Sequence, residues 1–307
     1  MAGLKELRTR IEAIKSTKKI TSAMKMVAAA GLRRAQGAIN KSAVYKDSLL
    51  LAARRVALDL QYEEKLKGVA LNYPKIMTGS GKDDNYLLVV ISSDKGLCGS
   101  YNANVAKAAQ ARVAELLQQG KNVRLICVGK KAREIIKHRY AELIVNSYEG
   151  IARKGADFYE ALDVVMPLLD EFEKGMVDKV EIVSSTFRSA ISRETASRQL
   201  LPISLTAAND AENLAEPVNR VNNAFYDYEP DKMEMLEALL LMIVKAMMFD
   251  AVVQAQASEQ GARMASMDNA TRNAADMISK LTLRYNGLRQ SAITTELTEI
   301  ISGAEAI

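Results

Sequence analysis

Asp231-Lys-Met-Glu-Met-Leu-Glu-Ala-Leu-Leu-Leu-Met-Ile-Val-Lys-Ala-Met247 begins a run that reaches the last residue, Ile307, without a proline. Pro230 directly before it suits the first turn of a helix, because proline lacks only an N–H that such a turn leaves unpaired anyway. Leu236, Leu240, Ile243 and Met247 recur at helical spacing and mark one face, and Ile278, Leu281, Tyr285, Leu288 and Ala292 mark a face nearer the end. A helix from Asp231 to Ser302 would be on the order of 100 Å long. No small domain can cover that length, so the pattern demands a second long helix beside it.

The opposite end of the chain supplies the candidate. From Leu4 to Leu66 there is no proline, and helix formers dominate. Apolar residues fall at Leu4, Leu7, Ile11 and Ile14, then, after a break in phase at Lys18, at Ile20, Met24, Val27 and Gly31. That reads as one helix face with a stutter. Gly31 and Gly37 each cost roughly 1 kcal/mol against alanine, which is tolerable where a partner approaches closely. Small and polar residues fill the expected seam: Ala28, Gly31 and Ala35 on one side, Gln254, Ser258 and Gly261 on the other. The expectation is a thin antiparallel coiled coil made from residues 1–66 and 211–307.

Between the ends the period changes. Tyr86–Ser92, Val123–Val128, Val180–Thr186 and Arg198–Leu205 read as strands, the first a continuous apolar run suited to burial on both faces. Asn102–Gln119, Lys130–Arg139 and Phe158–Lys174 read as helices, the last with Pro167 inside it. Alternation of this kind predicts an α/β unit over residues 85–210 with a largely parallel, Rossmann-like sheet, joined to the first helix by a junction at 67–84.

Composition narrows the chemistry. There are 14 Met and no Trp, and the single histidine, His138, forbids any site needing two imidazoles. Cys98 and Cys127 form no CxxC pair, which fits reduced thiols. The loop Ser92-Ser-Asp-Lys-Gly-Leu-Cys-Gly99 lies where phosphate loops occur, yet it matches neither GxGxxG nor GxxxxGK[ST], so a structural turn is the better reading. Neither a catalytic residue nor a cofactor or metal ligand set can be assembled. Eleven Lys or Arg fall within residues 1–46 against Glu6 and Glu12, an imbalance that expects an acidic partner. Aromatic interleaving is missing before Tyr45, so a charged coil face is favoured over nucleic acid. There is no run long and apolar enough to span a bilayer and no apolar leader at Met1.

Ile20-Thr-Ser-Ala-Met-Lys-Met-Val-Ala-Ala29, the SSDKGLCG loop, Ala257-Ser-Glu-Gln-Gly-Ala-Arg-Met264 and Tyr285-Asn-Gly-Leu-Arg-Gln-Ser-Ala-Ile-Thr-Thr-Glu-Leu-Thr-Glu-Ile-Ile-Ser-Gly-Ala304 resemble, in order and over the whole chain, the gamma-subunit family of rotary ATP synthases. The resemblance implies a non-catalytic shaft at the cytoplasmic face of a bacterial inner membrane. Its coil would enter a ring of α and β subunits, and its α/β foot would meet the epsilon subunit and the c-subunit ring. It implies that Met24 and Lys25 face acidic levers of the β subunits and that Arg289 and Gln290 grip a β-subunit loop. By the same resemblance Ile293, Leu297, Ile300 and Ile301 form an apolar bearing tip, while Tyr228 and Glu229 meet the polar loops of the c ring. The dithiol insertion of chloroplast relatives is missing from this pattern.

Overall fold

Helix geometry sets the long dimension of the molecule. Helices α1 (Ala2–Lys67) and α6 (Lys232–Glu305) contain 66 and 74 residues, so they extend about 100 and 110 Å. The computed structural model describes residues 2–151, 155–190, 192–205 and 228–305. The expected boundary at 210/211 lies outside the described residues. In it α1 and α6 run antiparallel along each other, in a register marked by the pairs Glu63–Lys232, Lys46–Asp250 (3.1 Å) and Lys25–Asp268 (2.6 Å).

The seam on α1 has no stutter. Ile11, Ile14, Lys18, Thr21, Lys25, Ala28, Leu32 and Ala35 follow one unbroken alternation of threes and fours, and all but Lys18 are buried or half-buried. Ile20 and Val27, assigned to the seam from their hydrophobicity, are 58% and 70% exposed. The physical reason is that three consecutive seam positions carry polar residues, so the apolar signal moves off the true face there. A strict seven-residue repeat keeps both helices in contact by supercoiling. Gly31 eases the close approach, since a Cβ there would lie 3.2 Å from the Gln260 side chain, which would have to give by a few tenths of an ångström. Gly37 has no such reason, because an added Cβ would meet nothing within 4 Å.

The lower half of the coil is embedded in an α/β body. Strands β1 (Asn85–Ile91), β2 (Asn122–Val128), β3 (Ile144–Tyr148), β4 (Lys179–Phe187) and β5 (Arg193–Leu201) form one sheet in the order β3-β2-β1-β4-β5. The first four are parallel and β5 is antiparallel to β4. Alternation along β1 divides the core. Tyr86, Leu88 and Val90 face helices α3 (Tyr101–Gln118) and α4 (Lys130–Tyr140), whereas Leu87, Val89 and Ile91 face α5 (Phe158–Glu173) and the coil. Leu236, Leu240, Ile243 and Val244 of α6 are fully buried in that second core.

Two strands differ from the sequence reading. Strand β3 has no counterpart in it: Ile-Val-Asn-Ser-Tyr is a five-residue edge strand with polar residues inside it. Strand β5 begins at Arg193 rather than Arg198, because its half-exposed Arg-Glu-Thr-Ala-Ser-Arg-Gln stretch carries no apolar signal before Leu200.

Residues 68–84 form a strap under the sheet, containing the single-turn α2 (Lys75–Thr78). Glu64 accepts from the Leu71 amide and the Tyr73 hydroxyl, and the Ile76 carbonyl accepts from the Ile203 amide at 2.7 Å. Asp178 accepts from Ser80 Oγ and from the Asp84 and Asn85 amides. Asp83 accepts from Tyr86 and pairs with Lys179 at 2.6 Å, and Lys179 first, then Tyr86, hold its carboxyl down at about 2. The strap's contribution is therefore complete above the ordinary Asp value of 3.8 and is lost as pH falls toward about 2. Asp83→Asn should flatten the fall in urea midpoint between pH 4 and pH 2; an unchanged slope would remove Asp83 from the account.

Candidate functional site

In an open parallel sheet the ligand crevice lies at the carboxyl ends of the strands, where the strand order reverses, here between β1 and β4. The chain fills that crevice with itself. The first amides of α4 are taken by the loop after β1: Lys130 N donates to Asp94 Oδ1 (3.1 Å), Lys131 N to the Ser93 carbonyl (3.0 Å) and Ala132 N to Ser92 Oγ (3.2 Å). Asp94 Oδ2 also accepts from Gly150 N at 2.9 Å. A carboxylate of the chain thus occupies the place at a helix N-terminus that a phosphate would take. Ser93 Oγ and its amide donate to Asn102 Oδ1, and the Cys98 thiol lies buried beside them with its pKa pushed up by burial. Burial likewise raises Cys127, to about 11.

Helix α6 crosses the same strand ends. Gln254 Oε1 accepts from the Phe187 amide (3.1 Å), Ser258 Oγ donates to the Ser185 carbonyl (3.2 Å), and the Tyr101 hydroxyl donates to the Ala255 carbonyl (3.2 Å). Gly261 brings the helix backbone against the turn after β4, where a Cβ would lie 3.3 Å from the Ala190 carbonyl oxygen. Gln254, Ser258 and Gly261, expected in the coil seam, therefore face the sheet instead. Alternating small and polar residues fit either surface, and sequence spacing alone does not separate them. Arg263 pairs with Glu259 at 2.6 Å and donates to the Gly96 carbonyl at 3.3 Å. Burial raises the Glu259 carboxyl, with Arg263 opposing that shift. The sequence reading missed this pair; its signal was a Glu and an Arg four residues apart inside the ASEQGARM string.

The remaining candidate residues are strung along one axis and not gathered in a pocket. At the base, the Tyr228 hydroxyl donates to Asp59 Oδ2 at 2.5 Å, the Lys232 ammonium sits 5.3 Å from the Tyr228 ring centre, and Glu229 is exposed. At the waist, Met24 is half-buried and the Lys25 ammonium is held by Asp268, which also pairs with Arg272 at 2.8 Å. Lys25, then Arg272, lowers the Asp268 carboxyl. That contribution is present above the ordinary Asp range and lost as pH falls through the lowered value. Lys25→Gln should move the Asp268 titration back up in a carboxylate NMR experiment, and an unmoved titration would mean that Lys25 does not set it.

Near the top, the register places the start of α1 beside residues near Arg289, so among the described residues α6 continues alone for roughly 20 Å. Arg289 and Gln290 are exposed at the start of this overhang. Ile293, Leu297, Ile300 and Ile301 are 56%, 58%, 69% and 51% exposed and share one helical face. Thr294, Thr295 and Thr298 return their hydroxyls to backbone carbonyls of the preceding turn. The overhang thus offers an apolar stripe with few outward hydroxyl donors.

Comparison with known proteins now bears on this geometry. A family described as ATP synthase matches residues 3–307. The ATP synthase gamma chain of Erythrobacter litoralis is 43% identical over 307 residues, covering all of both chains. This chain belongs to the ATP synthase gamma-chain family. The gamma chain of Rhodospirillum rubrum, at 42% identity over 311 residues, likewise covers both chains completely. Among solved structures, a chain in the central stalk and c-ring of the Tetrahymena thermophila mitochondrial ATP synthase covers 82% of this chain, and 99% of its own length, at 25% identity with a TM-score of 0.55. A chain of the Euglena gracilis mitochondrial enzyme covers 99% of this chain and 94% of its own at 19% identity with a TM-score of 0.64, a likeness of fold. Among the described residues no helix is long and apolar enough to cross a membrane.

Proposed function

We propose that this chain is the central rotor shaft of a proton-translocating ATP synthase, a non-catalytic subunit that couples rotation of a c-subunit ring to conformational change at catalytic β subunits. The observation that carries the reading is the overhang: a single helix projecting beyond its partner with an exposed apolar stripe at Ile293, Leu297, Ile300 and Ile301. A surface that turns inside a collar needs apolar contact without strong directional bonds, and the three threonines that bond inward meet that need. Arg289 just below it can grip a carboxylate with its fork, as a catch on a β-subunit loop would require. Met24 and Lys25 would lie at the level of the acidic β-subunit levers, with Lys25 shared between Asp268 and such a lever. Glu229 is exposed at the base, as contact with the polar loops of the c ring would require, and the α/β body would meet the epsilon subunit. The complex would sit peripherally at the cytoplasmic face of a bacterial inner membrane.

The test is ATP hydrolysis by the α and β subunits of the source organism, with and without this chain. A stable complex that hydrolyses ATP cooperatively and turns a bead attached at the exposed Ser100 is the expected result. If α and β neither bind the chain nor change in activity, the shaft reading is wrong.

A further inference from the structure

We infer that Gln254–Arg263 of α6 is the joint through which torque passes between the α/β foot and the shaft, with Glu259 and Arg263 as its positioning pair. The inference rests on the shaft reading and adds to it where the load crosses.

A twisting load about a helix axis is resisted by forces on opposed sides of the helix, acting as a couple. On one side, Gln254 and Ser258 bond the Phe187 amide and the Ser185 carbonyl at the end of β4. Arg263 follows Gln254 by nine residues, which is two and a half turns, so it leaves the opposite side of α6. There it donates to the Gly96 carbonyl in the loop after β1, with its guanidinium fixed by Glu259 at 2.6 Å. Their side chains are only 10% and 17% exposed, so water does not readily replace either bond. Helix α1 closes part of the remaining circumference, where Gly31 packs on Gln260. Lower on α6, Leu236, Leu240, Ile243 and Val244 make only apolar contact, which is strong but non-directional and opposes turning weakly. Among the described residues, α6 bonds the end of β4 and the loop after β1 through polar groups at this level, while α1 adds polar bonds lower down, from Arg54 Nε to the Leu205 carbonyl and from Leu71 and Tyr73 to Glu64. A buried ion pair is weak evidence of stabilisation; fixing geometry under load is the role its placement fits.

The test uses the chain assembled with its α and β subunits. Arg263→Ala breaks the pair. Glu259→Gln combined with Arg263→Met leaves no stranded charge, and so decides the matter if the single variant fails to assemble. A bead is attached at Lys174→Cys on the exposed foot, both natural cysteines being buried, and its angular spread is recorded while the rotor is stalled. Hydrolysis by the soluble complex and ATP-driven proton pumping by the membrane complex are measured in parallel. The expected result is a severalfold broader angular spread and less pumping per ATP, with soluble hydrolysis unchanged. Arg263→Lys, which keeps a donor for Glu259 and Gly96, should restore the spread. An unchanged spread in the double variant would overturn the inference, and so would soluble hydrolysis that falls in step with pumping. If the natural chain itself fails to turn in the ring, the shaft reading fails first, and that outcome is distinct from both.

Discussion

Gly129→Ala is expected to destabilise the α/β body by about 2–5 kcal/mol, combining a left-handed backbone with an overfilled contact. Gly129 follows β2 with φ of 94°, and a Cβ there would sit 2.4 Å from the Ser92 carbonyl oxygen and 2.8 Å from Ser92 Oγ. Neither atom can retreat. The Ser92 amide is bonded to the Val128 carbonyl, and its hydroxyl oxygen accepts from the first turn of α4. The change should therefore be felt across both loops at the sheet end, including Asp94. Gly37→Ala is the matched control, since its added Cβ meets nothing within 4 Å. It should stabilise α1 by up to about 1 kcal/mol. Native-state hydrogen exchange of β1 and β2 amides separates the two; equal protection in the Gly129 variant and the natural chain would contradict the steric account.

The second large effect concerns a charge pair inside the body. Glu181, near the start of β4, takes a two-pronged grip from Arg112 of α3 at 2.9 and 2.6 Å and a further bond from Ser197 of β5. Glu181 first, and Glu115 after it, hold the Arg112 guanidinium firmly in its charged form against burial. Arg112→Met leaves a buried carboxylate with a hydroxyl as its remaining partner in this cluster, at a cost of about 3–5 kcal/mol. Removing both charges, as Arg112→Met with Glu181→Leu, should recover most of that loss, because the desolvation of two ions is then avoided. Exchange of the β4 amides in the full chain reports both variants. A double variant as unstable as the single one would show that the pair's worth lies in packing and not in charge.

The legible parts of the fold were those with a periodic apolar signal. Leu236, Leu240 and Ile243 announced α6, and Tyr86-Leu-Leu-Val-Val-Ile91 announced the central strand, because burial on a fixed face leaves a fixed spacing. Where the face is polar the spacing says nothing: Lys18, Thr21 and Lys25 hid the seam of α1, and the polar half of β5 hid its start. The candidate surfaces were legible only by resemblance, since an exposed Arg289 or Leu297 leaves no local physical mark. Contacts between distant segments were hidden for a different reason. Asp94 meets Gly150 across 56 residues of chain and Arg263 meets Gly96 across 167, and spacing carries no such information.

The pairing of the first helix with the last has a consequence for how the chain is made. Helix α1 leaves the ribosome before any of its partner exists, and every strand must be translated before Lys232 follows. At about 5–20 residues per second that is a wait on the order of ten seconds or more. During it Ile11, Leu32, Val56 and Leu60, all buried in the finished coil, face water. The sheet face under α3 and α4 can close in that interval, but the opposite face is lined by Leu236, Leu240 and Ile243 of α6, so that core and the coil, both contacts of high sequence separation, come last. The nascent chain thus exposes one apolar face of the sheet together with an unpaired arm until Lys232–Glu305 has been made.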